Sequence, residues 1–209
     1  MDYIIILILL VIFVYCHFYT HEEYVVLSNN KLIPNDMLTY QKNNKKNKNY
    51  GFIPRSLYPD ILAFNDNCSK KVIKEFKLNN GKEIFNDINT TNGCKFYSLI
   101  KNKKILSNKF PYLLKKLKHI KNLENATLSC LNANHSTTIH NQFDSKLFRA
   151  HIPIQIPKDK CGICVENQCR TWKYGSYLLV DENLMHKVWN DSNLDRIILL
   201  LDVQKVKIN

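Results

Sequence analysis

The stretch HKVWNDSNLDRIILLLDV, residues 186–203, decides which kind of fold the sequence predicts. Its second half contains the apolar run IILLLDV, which is rich in β-forming residues and typical of a buried strand. Its first half begins at His186 and ends at Arg196. Two interpretations of this first half are open. It could be a surface loop before a buried strand. Alternatively, His186 could bind a metal and Arg196 could bind the acid on which that metal acts.

The region around this stretch has the texture of a β fold. From Asn125 onward, short runs of β-forming residues alternate with turn-like stretches. The runs are ATLSCLN, LFRAHIPIQI, CGICVE, TWKYG, SYLLVD and RIILLLDV. About six strands in roughly ninety residues predict a mainly β fold, either a sandwich or a jelly roll. Ahead of them, DNCSKKVIKEFKL (66–78) and KFPYLLKKLKHIK (109–121) place apolar residues at helical spacing, so we expect N-terminal helices.

The N-terminus predicts a membrane anchor. Residues 3–20, YIIILILLVIFVYCHFYT, contain no Lys, Arg, Asp or Glu, and their length suits a single transmembrane helix. A cleaved signal peptide is the alternative, but no basic segment precedes the run and no small-x-small site follows it. The predicted organisation is a single-pass anchor at 1–20, a polar basic linker at 21–50 and a folded domain at 51–209. The side of the membrane stays open, because few basic residues flank the run.

The net charge and the cysteine spacing bear on whether the protein binds nucleic acid or zinc. The net charge of +12 permits nucleic acid, anionic lipid or acidic substrates. Nucleic acid is not expected, because the basic residues lack the interleaved aromatic side chains on which single-strand binders stack bases. Cys161, Cys164 and Cys169 are spaced as in some zinc sites, but no second CxxC or histidine pair accompanies them. We therefore favour thiols in a hairpin over a zinc site.

Several motifs in the β region match one known family as a set. His140 and His186 lie far apart in sequence, yet strands distant in sequence line one cavity in a jelly roll, so the two imidazoles can meet. The matching segments are S129-CLNANHSTTI-H140, R149-A-H151, T171-WKY-G175, D181-E182, H186-KVWN and D195-R196-IILLLD. In these motifs and their intervals, residues 52–203 resemble the aspartyl/asparaginyl β-hydroxylase family, which includes bacterial lipid A acyl-chain hydroxylases.

The resemblance implies a fold, a chemistry and a set of site residues. The implied fold is a double-stranded β-helix, jelly-roll or cupin-like, preceded by helices. The implied activity is hydroxylation dependent on Fe(II) and 2-oxoglutarate, with O2 as oxidant and a protein Asp or Asn side chain or a lipid acyl chain as substrate. By position, His140 and His186 are the implied iron ligands and Arg196 the partner of the distal carboxylate of 2-oxoglutarate. Three further residues match positions that help to hold the co-substrate: Ser129, Arg149 and His151.

One departure from the family pattern bears on catalysis. Family members carry Asp or Gly two residues after the first ligand histidine, whereas this chain carries Gln142. Gln142 could coordinate weakly through its amide oxygen, leave the position to water or obstruct it. The alternative function is therefore a catalytically silent β-helix that serves as a membrane-anchored binding module.

Overall fold

The computed structural model describes residues 24–27, 31–34, 51–141, 144–158 and 160–206. The chain divides into two compact units, Met1–Lys45 and Lys46–Asn209. In the first, β1 (Tyr24–Leu27) and β2 (Lys31–Pro34) form an antiparallel hairpin within the segment predicted to be a linker. The predicted anchor at 1–20 lies outside the described residues. None of the helices in the described ranges combines the length and the hydropathy needed to cross a bilayer.

Two α-helices precede most of the sheet strands, as the apolar spacing predicts. Helix α1 spans Pro59–Leu78 and helix α2 spans Pro111–Leu117, each with a proline in its first turn, where a missing N–H is tolerated. Glu75 of α1 accepts hydrogen bonds from the backbone N–H groups of Tyr112 (2.7 Å) and Leu113 (2.9 Å). These are N–H groups that a helix leaves unpaired, so Glu75 caps α2 and fixes it against α1. Short 3-10 helices lie at Arg55–Leu57 and Glu83–Phe85.

The rest of the second unit is mainly β, as predicted. Its strands are β3 (Cys94–Lys101), β4 (Lys104–Ile105), β5 (Leu123–Leu131), β6 (His135–Ser136), β7 (Leu147–Gln155), β8 (Cys161–Val165), β9 (Gln168–Thr171), β10 (Leu178–Val180), β11 (His186–Asn190) and β12 (Arg196–Gln204). A six-stranded sheet has the order β10-β7-β12-β5-β3-β4, and a four-stranded sheet has the order β6-β11-β8-β9. From β5 to β12 the chain alternates between the two sheets except at the β8–β9 hairpin, which lies within the four-stranded sheet, and every pairing is antiparallel. This connectivity is that of a jelly roll.

Strand β12 separates two hydrophobic clusters. Ile197, Leu199 and Leu201 belong to the cluster that also contains the buried residues of α1 and α2. Ile198 and Leu200 belong to a second cluster that includes Ile163, Val165 and Val188 of the four-stranded sheet. Successive side chains of a strand point to opposite faces. The outer face of the six-stranded sheet is therefore covered by the helices, and its inner face meets the four-stranded sheet.

The cysteine triplet lies in the β8–β9 hairpin, where the sequence placed it. Cys164 and Cys169 are register partners and form a disulfide, and Cys161 is buried and takes no part in it. The disulfide links the two strands at the outer edge of the four-stranded sheet.

Candidate active site

The structure brings His140 and His186 together. Each backbone N–H donates to the carbonyl of the other residue, at 3.0 and 2.8 Å, so the two residues form an isolated antiparallel bridge beside β11. Their ring centroids are 4.3 Å apart and tilted by 53°. His186 is buried and His140 half-buried. Residues separated by more than forty positions thus present adjacent imidazoles.

Both rings are held in the same orientation by the backbone. Nδ1 of His140 is 2.8 Å from the carbonyl oxygen of Thr138, and Nδ1 of His186 is 2.9 Å from that of Leu184. A carbonyl only accepts, so each Nδ1 carries the hydrogen and each Nε2 presents its lone pair. Neither Nε2 forms a hydrogen bond with a described residue. This is the arrangement by which backbone carbonyls orient metal-ligating histidines.

Electrostatics favours the neutral form of His186. Burial lowers its pKa, and the attraction of Glu182 only partly opposes this. Neutral imidazole is the form that ligates a metal. The pair therefore fits two positions of an iron site. Among the described residues, no group of three or more His, Cys, Asp and Glu side chains is placed to hold a metal ion. Gln142, where the family pattern places its next candidate, lies outside the described residues.

Arg196 is a buried charge with no acidic partner among the described residues. It is the first residue of β12, its side chain lies on the inner face and is 2% exposed, and its guanidinium carbon lies 5.1 Å from the centre of the Trp172 ring. Its Nε is buried and forms no hydrogen bond within the described part of the chain. Burial lowers the pKa of Arg196, although guanidinium remains protonated at any ordinary pH. A buried, unpaired cation is costly unless an anion joins it, so this site is suited to bind a carboxylate.

Strand register places Ser129 and His151 on the same inner face as Arg196, on the two strands that flank β12. Ser129 of β5 is opposite Ile198, and His151 of β7 is opposite Leu200. At about 3.3 Å per residue, Ile198 and Leu200 lie roughly 7 and 13 Å beyond Arg196 along β12. Ser129 and His151 are both buried. The inner face therefore carries three buried polar side chains on three adjacent strands.

Glu182 fixes the ring of His151. Its Oε1 is 2.9 Å from Nε2 of His151, whereas Nδ1 of His151 is buried and has no hydrogen-bond partner among the described residues. Trp172 stacks on the ring at a centroid distance of 6.1 Å and an interplanar angle of 12°. Burial lowers the pKa of His151, and the nearby carboxylate of Glu182 only partly opposes this. The unpaired Nδ1 leaves one polar atom of His151 for a ligand on the inner face.

Arg149, expected to help hold the co-substrate, is paired with two carboxylates. Its Nε and Nη2 donate to the two carboxylate oxygens of Asp202 at 2.6 and 3.0 Å, and its Nη1 donates to Glu182 at 2.6 Å. Burial by itself would raise the pKa of Glu182, but the charge of Arg149 outweighs it and holds that pKa well below its usual range. In this structure Arg149 holds the carboxylate that orients His151.

Sequence reasoning missed the role of Asp202 and the structural role of Glu182. Asp202 is the one charged residue in the apolar run 197–203, and its even-numbered position puts it on the same face of β12 as Arg196. That signal was present in the sequence. A cavity of about 190 Å³ lies beside this network. Its lining consists of Asn125, Asp144, Leu147, Phe148, Arg149, Glu182, Asn183 and Asp202.

Known proteins share sequence with this chain. A mouse protein named aspartyl/asparaginyl beta-hydroxylase is 40% identical over 55 residues, which are 26% of this chain and 7% of that protein. An ornithine lipid ester-linked acyl 2-hydroxylase from Rhizobium tropici is 33% identical over 61 residues, which are 28% of this chain and 22% of that protein. The matches thus span less than a quarter of the relatives' own lengths.

Solved structures resemble this chain only weakly and at low sequence identity. A viral collagen prolyl hydroxylase from Paramecium Bursaria Chlorella virus-1 has a TM-score of 0.44 and 11% identity, covering 64% of this chain and 91% of that chain. A 2OG-Fe(II) oxygenase family oxidoreductase from Burkholderia pseudomallei has a TM-score of 0.45 and 11% identity, covering 61% and 78%. At scores this low, neither likeness assigns a role to a residue.

The family model described as aspartyl/asparaginyl beta-hydroxylase matches residues 71–206, well over half of the chain. The matched range contains the paired histidines, the buried arginine and the strands that hold them. The expectation from the sequence motifs is thereby confirmed: this chain belongs to the aspartyl/asparaginyl beta-hydroxylase family.

Proposed function

We propose that this chain is a hydroxylase that depends on Fe(II) and 2-oxoglutarate. The observation that carries the proposal is the pair His140 and His186, whose rings are 4.3 Å apart and whose Nδ1 atoms are both held by backbone carbonyls. The two Nε2 atoms would hold the iron. Bound iron with 2-oxoglutarate and O2 supplies the oxidising power to hydroxylate an unactivated C–H bond.

The protein's own residues supply binding and orientation. Arg196 would hold the distal carboxylate of 2-oxoglutarate, because a planar guanidinium matches a carboxylate in two parallel hydrogen bonds. Ser129 and His151, on the two strands that flank β12, would contact the rest of the co-substrate. Trp172 packs on both Arg196 and His151, which restricts both side chains. Arg149 and Glu182 position His151 from the other side.

The proposed substrate is an Asp or Asn side chain of a protein or the acyl chain of a lipid. Both classes occur among the names of the relatives, and the short matched lengths do not separate them. The predicted anchor at residues 1–20 would retain the enzyme on a membrane as a single-pass protein, which suits either class. Its side of the membrane is not specified by the proposal.

Anaerobic titration of Fe(II) and then 2-oxoglutarate tests the proposal. We expect a metal-to-ligand charge-transfer band in the full chain and its loss in His140→Ala and His186→Ala, with His119→Ala as the matched control because His119 is exposed at the end of α2. Succinate release in air then separates an enzyme from the silent binding module. Iron retention by both variants would show that the site is elsewhere, and iron binding without succinate would favour the silent module.

A further inference from the structure

The turn between β3 and β4 carries an exposed basic and apolar segment. Residues 101–106, KNKKIL, are all exposed, with Ile105 50% and Leu106 57% exposed. Asn102 and Lys103 have φ values of 49° and 64°, which make a tight hairpin turn of the kind that follows the twist of the strands. Strand β4 pairs only with β3 at the edge of the sheet, so nothing in the described part of the chain covers its apolar side chains.

More lysines gather at the same end of the six-stranded sheet. The Lys103 N–H donates to the carbonyl of Glu124 at the start of β5, and the Lys205 N–H, just past β12, donates to the carbonyl of Lys146. Among the described residues, this end of the sheet includes the following lysines: Lys101, Lys103, Lys104, Lys146 and Lys205. Three carboxylates accompany them: Glu124, Asp144 and Asp181. Two of the lysines are paired, Lys103 with Glu124 at 3.0 Å and Lys205 with Asp181 at 2.9 Å.

Two of the lysines that form no ion pair within the described residues lie on the β3–β4 hairpin. Lys101 and Lys104 form no ion pair with a described residue, and they flank the turn next to Ile105 and Leu106. Exposed aliphatic side chains gain free energy by entering the interfacial region of a bilayer, and neighbouring lysines are attracted to anionic head groups. Nucleic acid would match the lysines but not the aliphatic pair. The chemistry of the segment thus fits a lipid surface best.

We propose that the segment 101–106, here named the basic hairpin, docks on an anionic lipid surface. The segment shares no residue with the proposed iron site, so the inference goes beyond the proposed hydroxylation and does not depend on iron. A hydrogen-bond chain joins it to the cavity: the Asn102 N–H donates to Oδ1 of Asn125 at 2.9 Å, and Nδ2 of Asn125 donates to Asp202 at 3.0 Å. Docking at the basic hairpin would bring the rim of that cavity to the lipid surface.

Site-specific fluorescence on the full chain tests this docking. An NBD fluorophore is attached to Leu106→Cys, with Leu194→Cys as the matched control. Leu194 is 54% exposed and lies just before β12, at the opposite end of the sheet from the basic hairpin. The chain is reconstituted into nanodiscs of phosphatidylcholine alone or with phosphatidylglycerol. The unsubstituted chain gives the labelling background of native thiols.

We expect the probe at 106 to shift to the blue and its quenching by iodide to fall about threefold or more, only in discs with phosphatidylglycerol. The probe at 194 should stay exposed in both. A lysine near an anionic surface strengthens binding about fivefold, so Lys101→Glu with Lys104→Glu should reduce the protected fraction tenfold or more. Retention of the charge-transfer band in that variant shows that the protein is folded and that the iron proposal stands separately.

Three results would overturn the docking proposal. The probe at 106 could be quenched equally in both lipids, which excludes an anionic lipid contact. The probes at 106 and 194 could be protected to the same extent, which indicates adsorption without a defined surface. Heparin could protect the probe at 106 as well as anionic discs do, which identifies a general polyanion site.

Discussion

Replacing Arg196 with methionine tests the proposed co-substrate anchor most directly. Arg196 is 2% exposed, its Nε forms no hydrogen bond within the described residues, and the Trp172 ring is the group that packs on its charge. Methionine keeps most of the side-chain volume and the contact with Trp172 but removes the charge. Apolar replacement of buried charges is often neutral or stabilising by about 1–4 kcal/mol. We therefore expect the ligand-free variant to fold and to be at least as stable as the parent.

The same change should greatly weaken 2-oxoglutarate binding. A hydrogen bond to a charged group contributes about 1.5–3 kcal/mol, so losing two from a guanidinium fork costs about 3 kcal/mol or more. Every 1.4 kcal/mol is about tenfold in affinity, and the dissociation constant should rise about 10²-fold. Iron binding should be unchanged, because Arg196 does not contact either histidine in the proposed site.

Unfolding in urea with Fe(II), without oxygen, measures both effects. At 2-oxoglutarate a hundred times above the parent's Kd, binding should raise the parent's free energy of unfolding by about 2.7 kcal/mol, but that of the variant by only about 0.4 kcal/mol. Arg170→Met is the matched control, because Arg170 is exposed and lies 4.2 Å from the Phe52 ring centre. An Arg196→Met protein that keeps its 2-oxoglutarate affinity within about threefold would refute the anchor assignment.

Other parts of the site give further tests. Glu182→Gln should lower the free energy of unfolding by about 3 kcal/mol, because it breaks a buried ion pair, whereas Asp144→Asn at the exposed cavity rim should change it by less than about 0.5 kcal/mol in the same urea titration. The pKa of Glu182 is depressed on folding, so its contribution is present above its unfolded pKa of 4.5 and is lost as the pH falls further; a pH series of that difference should show it. His151 also has a lowered pKa, so below its unfolded pKa of 6.5 the unfolded state binds more protons than the folded state. The free energy of unfolding should therefore decrease as the pH is lowered below 6.5, and this decrease should be smaller in His151→Phe. Gln142→Asp should tighten Fe(II) binding by adding a carboxylate, and unchanged affinity would mean that residue 142 is not at the metal. Residues 51–209 should form a soluble folded unit, and aggregation of that fragment while the full chain in detergent is folded would contradict the predicted boundary.

Much of the fold follows from local patterns in the sequence. The apolar run 197–203 predicts a buried strand, and the helical spacing at 66–78 and 109–121 predicts α1 and α2. The sequence does not identify β3 or β11 by itself. β11 reads HKVWN, in which polar and apolar residues are mixed, yet all five residues are buried. Its burial results from its neighbours on both sides in the four-stranded sheet, which a local pattern does not contain.

The candidate site was predictable as a set of residues but not as a set of contacts. The resemblance to the family pattern implied His140, His186 and Arg196, and the structure brings the two histidines together and buries the arginine. The alternation of strand residues also shows which side chains share a face. The identity of the site residues and the alternation of side chains along a strand can both be read from the order of residues in the chain.

Only the tertiary structure decided which groups are paired and which are left for a ligand. Arg149 and Arg196 are both arginines on the inner face of one sheet, but Arg149 is held by Asp202 and Glu182, whereas Arg196 stacks on Trp172 without an acidic partner. The difference arises from the register between β7 and β12, which places Asp202 opposite Arg149. Register is fixed by the packing of whole strands, and a shift of one residue would move every side chain to the other face. The sequence by itself thus determined the chemical groups, and strand pairing determined which of them remains free to bind.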